Sequence, residues 1–257
     1  MTSVEAPKVV AVIPARFAST RFPGKIITPV AGKPLVAHTY ERACEARLVS
    51  EVLVATDDDR VAAALAPLGI RVVMTRPDHP SGTDRIAEAA ESLDADIIVN
   101  VQGDEPLLDP LTIDAAVRAL LENPDIPMAT ARRRISEPEM VADPNVVKVV
   151  CDAQGRALYF SRCSIPYIRD AADRPAAAEC YWQHIGLYVY RRAFLLQYAR
   201  IPQTSLECLE KLEQLRALEN GYAIAVVDTE YQSIGVDTPE DLEKVRALLE
   251  NGQQKGV

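Results

Sequence analysis

Residues 9–13 read Val-Val-Ala-Val-Ile, and residues 14–25 continue as Pro-Ala-Arg-Phe-Ala-Ser-Thr-Arg-Phe-Pro-Gly-Lys. The apolar run predicts a buried strand, and the loop after it carries the cations Arg16, Arg21 and Lys25. In open α/β sheets, ligands bind at the carboxyl ends of the strands. This stretch therefore predicts a loop that binds a polyanion, such as a nucleoside triphosphate, at that edge of a sheet.

The overall composition narrows the classes of partner. The chain has 257 residues and a net charge of −9, so we predict that it binds neither nucleic acid nor an anionic membrane, which require basic faces. No apolar run approaches the ~20 residues that cross a bilayer, and the first residues lack a signal-peptide pattern. The five cysteines are scattered without a C-x-x-C pair, which predicts reduced thiols and a cytoplasmic location.

The first half of the chain alternates strand-like runs with helical patterns, which is typical of βαβ units. Strands are predicted at 8–13, 51–55, 71–74 and 96–101, and helices at 34–47, 59–68, 83–92 and 110–122. This order predicts an α/β fold with a mostly parallel, doubly wound, Rossmann-like sheet.

The second half predicts antiparallel strands. Residues 146–152 and 157–160 flank Ala-Gln-Gly and indicate a hairpin, and residues 181–190 are rich in strand-forming side chains. We therefore predict an antiparallel insertion at about 157–190. The proline-rich stretch 124–144 is interpreted as a connection within the domain, so that residues 1–257 form a single domain.

One long helix is predicted at 205–220, ending before Gly221. Leucines recur along it with helical spacing and are expected to form its core-facing stripe, at Leu206, Leu209, Leu212 and Leu215. A strand at 223–228 and a helix at 239–250 complete the predicted elements.

The opening loop does not match the common phosphate-binding patterns. Against the Walker A motif G-x-x-x-x-G-K-[ST], Ser19 stands at the first glycine position and Ile26 at the last position. The dinucleotide pattern G-x-G-x-x-G is also absent. A solvated basic loop remains the alternative for each cation taken singly, whereas the three cations beside Gly24 favour phosphate binding.

Asp104 is a candidate ligand of Mg²⁺. Residues 99–106 read Val-Asn-Val-Gln-Gly-Asp-Glu-Pro, so a predicted buried strand leads directly into acidic side chains. Proteins bind Mg²⁺ through one or two carboxylates together with substrate phosphates. The alternative is a helix cap, but the next helix begins near Pro110, where Asp109 is better placed to cap it.

Asp237 is the candidate second ligand. Thr238 and Asp241 fit the capping pattern [ST]-x-x-[DE], with Pro239 at the first helical position. Asp237 is then left without a structural role, and we predict that it shares one cation with Asp104.

Ser81 and Gly82 carry a weaker signal. Ser81 with Asp84 fits a helix cap, and the functional alternative is that the backbone around Ser81 and Gly82 binds a nucleotide base.

Glu210 and Gln214 lie on one face of the predicted helix, where they could meet a sugar, and a solvated face is the alternative. Arg162 and His184, taken singly, look like ordinary loop and strand residues.

Together the motifs resemble those of the 3-deoxy-manno-octulosonate (Kdo) cytidylyltransferases, or CMP-Kdo synthetases, a family of sugar nucleotidyltransferases. Matching segments follow in order along nearly the whole chain, at 14–25, 32–34, 55–57, 79–85, 101–106, 145–150, 159–162, 184–186, 212–216 and 235–241. The first loop alone would indicate only the broader group, which includes CMP-sialate synthetases. The resemblance implies the nucleotidyltransferase fold and an Mg²⁺-dependent transfer of CMP from CTP to the anomeric hydroxyl of Kdo. Pyrophosphate would be released, and the product would serve lipopolysaccharide biosynthesis.

The resemblance also implies roles for individual residues. The nucleotide would be bound by Pro14, Ala15, Arg16, Arg21, Lys25, Ser81, Gly82 and Gln102. The catalytic set would be Arg16, Arg21 and Lys25 on the triphosphate, with Asp104 and Asp237 on Mg²⁺. The sugar acid would be held by Arg162, His184, Glu210 and Gln214, with Glu207 and Glu213 as possible substitutes. The family resemblance further implies a homodimer, with the insertion at about 157–190 at its interface.

Two alternatives stay open at this point. The acceptor could be another sugar acid, such as sialic acid or an 8-amino Kdo analogue, because acceptor choice depends on the shape of the pocket. The chain could also be a catalytically silent nucleotide-binding protein, since a fold alone does not establish an activity. The presence of both carboxylates and all three cations counts against a silent protein.

Overall fold

The computed structural model of the chain describes residues 6–18, 22–170, 180–232 and 234–254. The chain folds into two compact units, unit 1 with residues 1–114 and 233–257, and unit 2 with residues 115–232. The single domain 1–257 stays a prediction, because compactness alone does not make each unit an independent domain. Within the described ranges, every helix is too short or too polar to cross a membrane.

Unit 1 is built on a parallel sheet. Its strands are β1 (Val9–Pro14), β2 (Pro29–Val30), β3 (Lys33–Pro34), β4 (Glu51–Thr56), β5 (Val72–Met74) and β6 (Ile97–Asn100). Four of them pair in parallel in the order β6-β1-β4-β5, while β2 and β3 form a short antiparallel pair. Strand β1 is central and almost completely buried, which explains its uninterrupted apolar sequence.

Nine helices are described, in the following order. They are α1 (Leu35–Cys44), α2 (Asp59–Leu65), α3 (Gly82–Glu91), α4 (Pro110–Glu122), α5 (Pro138–Ala142), α6 (Arg192–Tyr198), α7 (Ser205–Glu210), α8 (Leu215–Glu219) and α9 (Pro239–Gln254). Short 3-10 helices occur at Lys25–Ile27 and Ala66–Leu68. The helices predicted in the first half are confirmed to within a few residues.

Unit 2 contains the antiparallel pairings predicted for the second half of the chain. Its strands are β7 (Met128–Arg134), β8 (Lys148–Cys151), β9 (Ala157–Ser161), β10 (Trp182–Arg191) and β11 (Ile224–Asp228). Strand β7 pairs with β10 in antiparallel and with β11 in parallel orientation, and β8 pairs in antiparallel orientation with both β9 and β10. The predicted hairpin and the α/β class, with a mostly parallel sheet plus antiparallel strands, are both confirmed.

The interpretation of 124–144 as a connection is wrong. It contains β7 and α5, so the antiparallel strands of unit 2 begin before residue 157. The prolines of this stretch suggested a connection, and the arginines at 132–134 interrupt the apolar pattern expected of a buried strand. Here Arg132 pairs with Asp228 at 2.8 Å, and the guanidinium of Arg132 lies 4.0 Å from the centre of the Trp182 ring.

The continuous helix predicted at 205–220 is also wrong. Helix α7 ends at Glu210, and Lys211 adopts a left-handed backbone with φ 55° before α8 begins. The predicted leucine stripe is therefore broken. Leu206 and Leu209 are 36% and 80% exposed, and only Leu212 and Leu215 are buried. The buried face of α7 presents Glu207, whose partner is described below.

Candidate functional site

In unit 1, one ammonium group joins the two carboxylates that the sequence singled out. Lys25 Nζ donates to Asp104 Oδ2 at 2.7 Å and to Asp237 Oδ1 at 3.2 Å, and also to the carbonyl oxygen of Val236 at 2.5 Å. The Lys25 side chain is 11% exposed, whereas those of Asp104 and Asp237 are 32% and 49% exposed. We call these three side chains the Lys25 cluster. It is an ionic site whose carboxylates remain partly accessible to solvent.

Local backbone features place the members of this cluster. Gly24, with φ 73°, precedes the 3-10 helix that begins with Lys25, and a side chain would strain this backbone. The amide of Val236 donates to the carbonyl of Asp104 at 2.9 Å, which joins the two acidic segments. The expectation that Asp237 has no structural role is wrong, because its carboxylate already takes part in an ion pair.

Two predicted helix caps form as expected. The side chain of Thr238 accepts from the amide of Asp241 at 3.2 Å, and the carboxylate of Asp241 accepts from the amide of Thr238 at 3.2 Å. The carboxylate of Asp109 accepts from the amide of Leu111 at 3.2 Å, so Asp109 caps α4 and Asp104 does not.

Gly103 is tightly enclosed next to Asp104. A Cβ at this position would lie 3.0 Å from Ile26 Cδ1 and 3.1 Å from the carbonyl oxygen of Pro14. The carbonyl of Gly103 also accepts from the buried hydroxyl of Thr39 at 3.0 Å. The backbone before Asp104 is therefore fixed on several sides, and only glycine fits without displacement of its neighbours.

The candidate nucleotide residues of unit 1 have mixed surroundings. A Cβ at Gly82 would lie 3.5 Å from Pro14 Cγ, so the structure brings these two positions together. Ala15 is buried, and its amide donates to the carbonyl of Ala55 at 2.8 Å. Gln102 Nε2 donates to Asn100 Oδ1 at 3.3 Å.

Ser81 caps α3. Its hydroxyl accepts from the amide of Asp84 at 3.2 Å and donates to Asp84 Oδ2 at 2.7 Å. The structural interpretation of this motif is therefore correct, whereas binding of a base stays a prediction.

Of the two predicted arginine cations in the opening loop, the structure describes Arg16. Arg16 Nη2 is buried and has no hydrogen-bond partner among the described residues. A buried guanidinium nitrogen without a partner is costly, so Arg16 offers a donor suited to an anion. Arg21 lies outside the described residues.

In unit 2, Glu210 and Arg162 are joined by hydrogen bonds that involve the backbone of each residue. Glu210 accepts from the hydroxyl of Ser161 at 2.6 Å and from the amide of Arg162 at 2.9 Å. The Arg162 guanidinium donates to the carbonyl oxygens of Glu210 at 2.6 Å and Pro144 at 2.9 Å. We call Ser161, Arg162 and Glu210 the Glu210 cluster.

His184 and Gln214 belong to a second group in the same unit. His184 Nε2 lies 2.9 Å from the hydroxyl of Thr130, and the His184 ring lies 5.4 Å from the Tyr188 ring. The Tyr188 hydroxyl donates to Gln214 Oε1 at 3.1 Å. We call Thr130, His184, Tyr188 and Gln214 the His184 cluster.

The His184 cluster is buried and electrically neutral. Burial lowers the pKa of His184 to about 3, so the ring is uncharged at neutral pH. The Thr130 hydroxyl donates to the carbonyl of Leu187 at 2.7 Å, so it accepts from His184 Nε2–H, which leaves Nδ1 as an acceptor. Gln214 is 2% exposed, and its Nε2 has no hydrogen-bond partner within the described part of the chain.

The two clusters of unit 2 are linked through Phe160, which precedes Ser161 on β9. The rings of Phe160 and His184 pack edge to face with centroids 4.9 Å apart. All four candidate sugar residues therefore belong to one connected region of unit 2. Sequence reasoning missed Tyr188, Thr130 and Ser161, although the aromatic residues of the strand at 181–190 were a signal for Tyr188.

The alternatives at Glu207 and Glu213 can be separated. Glu207 is 3% exposed, and both of its carboxylate oxygens accept from Arg216, at 2.5 and 2.8 Å. A carboxylate held in this way is occupied within the fold. Glu210 is therefore better placed than Glu207 for contact with a ligand. Glu213 is only partly buried, and its carbonyl accepts from the Tyr198 hydroxyl at 2.5 Å.

Comparison with known proteins identifies the family to which this chain belongs. The sequence model of the cytidylyltransferase family matches residues 10–230. Because this match covers most of the chain, the protein belongs to the cytidylyltransferase family and is a nucleotidyltransferase.

Individual relatives are more specific. A protein from Solibacter usitatus named 3-deoxy-manno-octulosonate cytidylyltransferase is 56% identical over 251 residues, which cover 97% of this chain and 98% of the relative. A relative of the same name from Geobacter sulfurreducens is 58% identical over 248 residues, covering 94% of this chain and 99% of the relative. A solved structure described as CMP:2-keto-3-deoxy-manno-octonic acid synthetase complexed with CTP is 44% identical. It superposes with a TM-score of 0.90 and covers 95% of this chain and 99% of the other.

Proposed function

We propose that this chain transfers CMP from CTP to the anomeric hydroxyl of Kdo, giving CMP-Kdo and pyrophosphate. The observation that carries the proposal is the Lys25 cluster, in which two carboxylates from distant segments converge on one cation. Transfer of a nucleotidyl group requires positioning and charge neutralisation more than a covalent partner. The names of relatives more than half identical to this chain favour Kdo as the acceptor.

The Lys25 cluster fits Mg²⁺. Asp104 and Asp237 offer hard oxygen donors that already lie within reach of a single cation, the Lys25 ammonium. Two carboxylates suit an Mg²⁺ ion whose remaining ligands are substrate phosphates. When bound, Mg²⁺ would neutralise phosphate charge and lower the pKa of the attacking hydroxyl. Asp104 and Asp237 would hold it.

The cations of the opening loop are proposed to bind the triphosphate. Arg16 supplies a buried Nη2 that lacks a partner in the described chain, and Lys25 supplies an ammonium that exchanges its carboxylate contacts for phosphate oxygens. Arg21 is assigned to the same triphosphate on the sequence pattern alone. These donors bind the charge that develops on the leaving pyrophosphate. Pro14, Ala15, Ser81, Gly82 and Gln102 are proposed to line the nucleotide.

Unit 2 is proposed to bind the sugar acid. Gln214 Nε2 and neutral His184 Nδ1 provide one donor and one acceptor for hydroxyl groups. Arg162 uses one N–H of each terminal nitrogen on main-chain carbonyls, which leaves a second N–H on each for a carboxylate. Glu210 is held by Ser161 and is proposed to orient Arg162 and to accept from the sugar.

The cellular setting of the reaction is part of the same proposal. All five cysteines lie within the described ranges and none forms a disulfide, which suits a reducing compartment. We place the activity in the cytoplasm, as a step of lipopolysaccharide biosynthesis.

We also propose that the chain is a homodimer. An apolar groove of about 330 Å³ lies in unit 2, with Ile135, Pro138, Val141, Tyr167 and Ile168 among its lining residues, and Tyr167 is 82% exposed. A second copy would cover this surface next to the insertion. Light scattering tests this proposal, since a mass near the 28.1 kDa of one chain would contradict it.

The decisive experiment measures pyrophosphate release from CTP and Mg²⁺ with Kdo, its 8-amino analogue and sialic acid in parallel. We expect release with Kdo at a much higher kcat/KM than with the other two acids. Preference for the 8-amino analogue or for sialic acid would change the acceptor and leave the cytidylyltransferase chemistry intact. No release with any acid, combined with CTP binding by calorimetry, would show a catalytically silent protein.

A further inference from the structure

Helical geometry does not set the spacing between Glu210 and Gln214. Helix α7 ends at Glu210, Lys211 has a left-handed backbone, and α8 begins at Leu215 with Gln214 as its N-cap. In a continuous helix, residues four apart would stand one above the other on the same face. Some other interaction must fix how the two short helices are oriented.

An ion pair bridges the break. Arg216 Nε donates to Glu207 Oε2 at 2.8 Å, and Arg216 Nη2 donates to Glu207 Oε1 at 2.5 Å. Glu207 lies on α7 and Arg216 on α8, with 3% and 6% of their surfaces exposed. A bidentate pair between two planar groups resists rotation of either partner, so it fixes an angle as well as a distance.

The surroundings of the pair hold it in place. Glu207 Oε2 also accepts from the amide of Thr204 at 3.2 Å, which completes the capping box at the start of α7. Arg216 Nη1 donates to the carbonyl of Ile201 at 3.4 Å, and its guanidinium lies 5.0 Å from the centre of the Tyr198 ring. The ion pair is therefore anchored to the chain before α7 as well as to α8.

The composition of this junction favours a geometric role over a stabilising one. Desolvation offsets most of the attraction within a buried ion pair, so apolar side chains would join two helices at least as firmly. Apolar residues are available on α7, yet Leu206 and Leu209 face outward and Glu207 is buried. The hydrogen bonds that Arg216 donates to Glu207 hold the pKa of Arg216 above its ordinary value, which keeps the pair ionised.

We propose that Glu207 and Arg216 are positioning residues for the sugar acid, which orient Glu210 relative to Gln214 without touching the substrate. This inference rests on the proposed function, in which Glu210 and Gln214 bind Kdo. Loss of the pair leaves both binding side chains present and misplaces one relative to the other.

The first test is Arg216→Lys, which keeps the charge and removes the two-pronged geometry. We expect KM for Kdo to rise between about 10- and 100-fold, the range expected for displacement by about 1 Å. KM for CTP should stay within about twofold of wild type, because the proposed triphosphate ligands belong to unit 1. Pyrophosphate release is measured with each substrate varied at saturation of the other.

The second test separates position from stability. In the double variant Glu207→Leu/Arg216→Met, apolar groups of similar size replace the pair, which preserves the melting temperature in comparable cases. We expect a melting temperature near that of wild type with KM for Kdo still raised. The matched control is Arg191→Lys, since Arg191 in the same unit donates to the carbonyls of Ile126 and Leu120. This control should melt earlier with KM for Kdo unchanged.

Several outcomes would overturn the proposal. They are an unchanged KM for Kdo in Arg216→Lys, an equal rise in both KM values, or a wild-type KM for Kdo in the double variant. Each would show that the pair only stabilises unit 2. Absence of pyrophosphate release by wild type with Kdo would instead contradict the proposed function itself, and the positioning role with it.

Discussion

The Lys25 cluster and the His184 cluster differ in charge and in exposure, and we propose that each binds a different part of the substrates. The first gathers unlike charges on partly exposed side chains, where the Lys25 ammonium serves both Asp104 and Asp237. The second is buried and neutral, with an uncharged His184 and an amide nitrogen of Gln214 that has no partner in the described chain. The Lys25 cluster is suited to charged substrates. The His184 cluster is suited to discrimination among sugar hydroxyls, because a mismatched hydroxyl leaves a buried group without a hydrogen bond.

The largest expected effect is on the Lys25 cluster. Asp104→Asn or Asp237→Asn removes one of two charges while keeping the shape of the side chain. We expect kcat for CMP-sugar formation to fall by about a thousandfold or more, with CTP affinity by calorimetry largely retained. Asp94→Asn is the control, because Asp94 is almost fully exposed and should retain wild-type rates. Full activity in either cluster variant would show that these carboxylates do not hold the metal.

The next largest expected effect is on the His184 cluster. Gln214→Met has similar volume and removes both the acceptor for Tyr188 and the amide nitrogen without a described partner. The lost hydrogen bond and the removed unsatisfied group offset each other, so the melting temperature should change little. KM for Kdo should rise between about 10- and 100-fold. Unaltered Kdo kinetics would show that Gln214 is only a packing residue.

A smaller effect concerns the neutrality of His184. Its pKa is lowered to about 3 in the folded protein, whereas an unfolded histidine titrates near 6.5. The unfolded state therefore binds more protons between these values, and stability is lost as the pH falls below about 6.5.

This pH dependence is measured by urea unfolding of wild type and His184→Gln. Between pH 7 and 5, wild type should lose about 2 kcal/mol more than the variant, because the variant lacks this titration. His38 and His79 are common to both proteins and cancel in the comparison. Parallel losses would mean that His184 becomes protonated while folded, which would end the contrast between a neutral and a charged cluster.

The smallest effect is at the break between α7 and α8. Lys211 has φ 55°, a conformation that costs an ordinary residue up to about 1 kcal/mol relative to glycine. Lys211→Gly should raise the free energy of unfolding by up to about 1 kcal/mol with unchanged kinetics for both substrates. A loss of stability would show that the side chain of Lys211 contributes more than its backbone costs.

Sequence patterns were informative where a residue's neighbours along the chain fix its role. The strand and glycine before Asp104, and the capping box after Asp237, are local signals, and both carboxylates reach the same cation. Strand β1 was equally clear, because burial on both faces requires an uninterrupted apolar run.

Patterns failed where partners from distant parts of the chain decide the outcome. The leucines of 205–220 follow helical spacing, yet the helix breaks at the left-handed Lys211, and the Glu207–Arg216 pair joins its two parts. Similarly, Arg132 of β7 contacts Asp228 and Trp182, which come much later in the sequence. Local spacing contains no information about such partners.

Gly103 carries no functional group, yet it fixes the backbone that positions Asp104. A Cβ at residue 103 would lie 3.0 Å from Ile26 Cδ1 and 3.1 Å from the carbonyl oxygen of Pro14, so these neighbours would have to shift by a few tenths of an ångström. Mutational drift at this position is therefore restricted by volume alone. A screen of single substitutions should find residue 103 poorly tolerant of change, so a map of intolerance would mark the proposed Mg²⁺ ligand Asp104 partly through an inert position beside it.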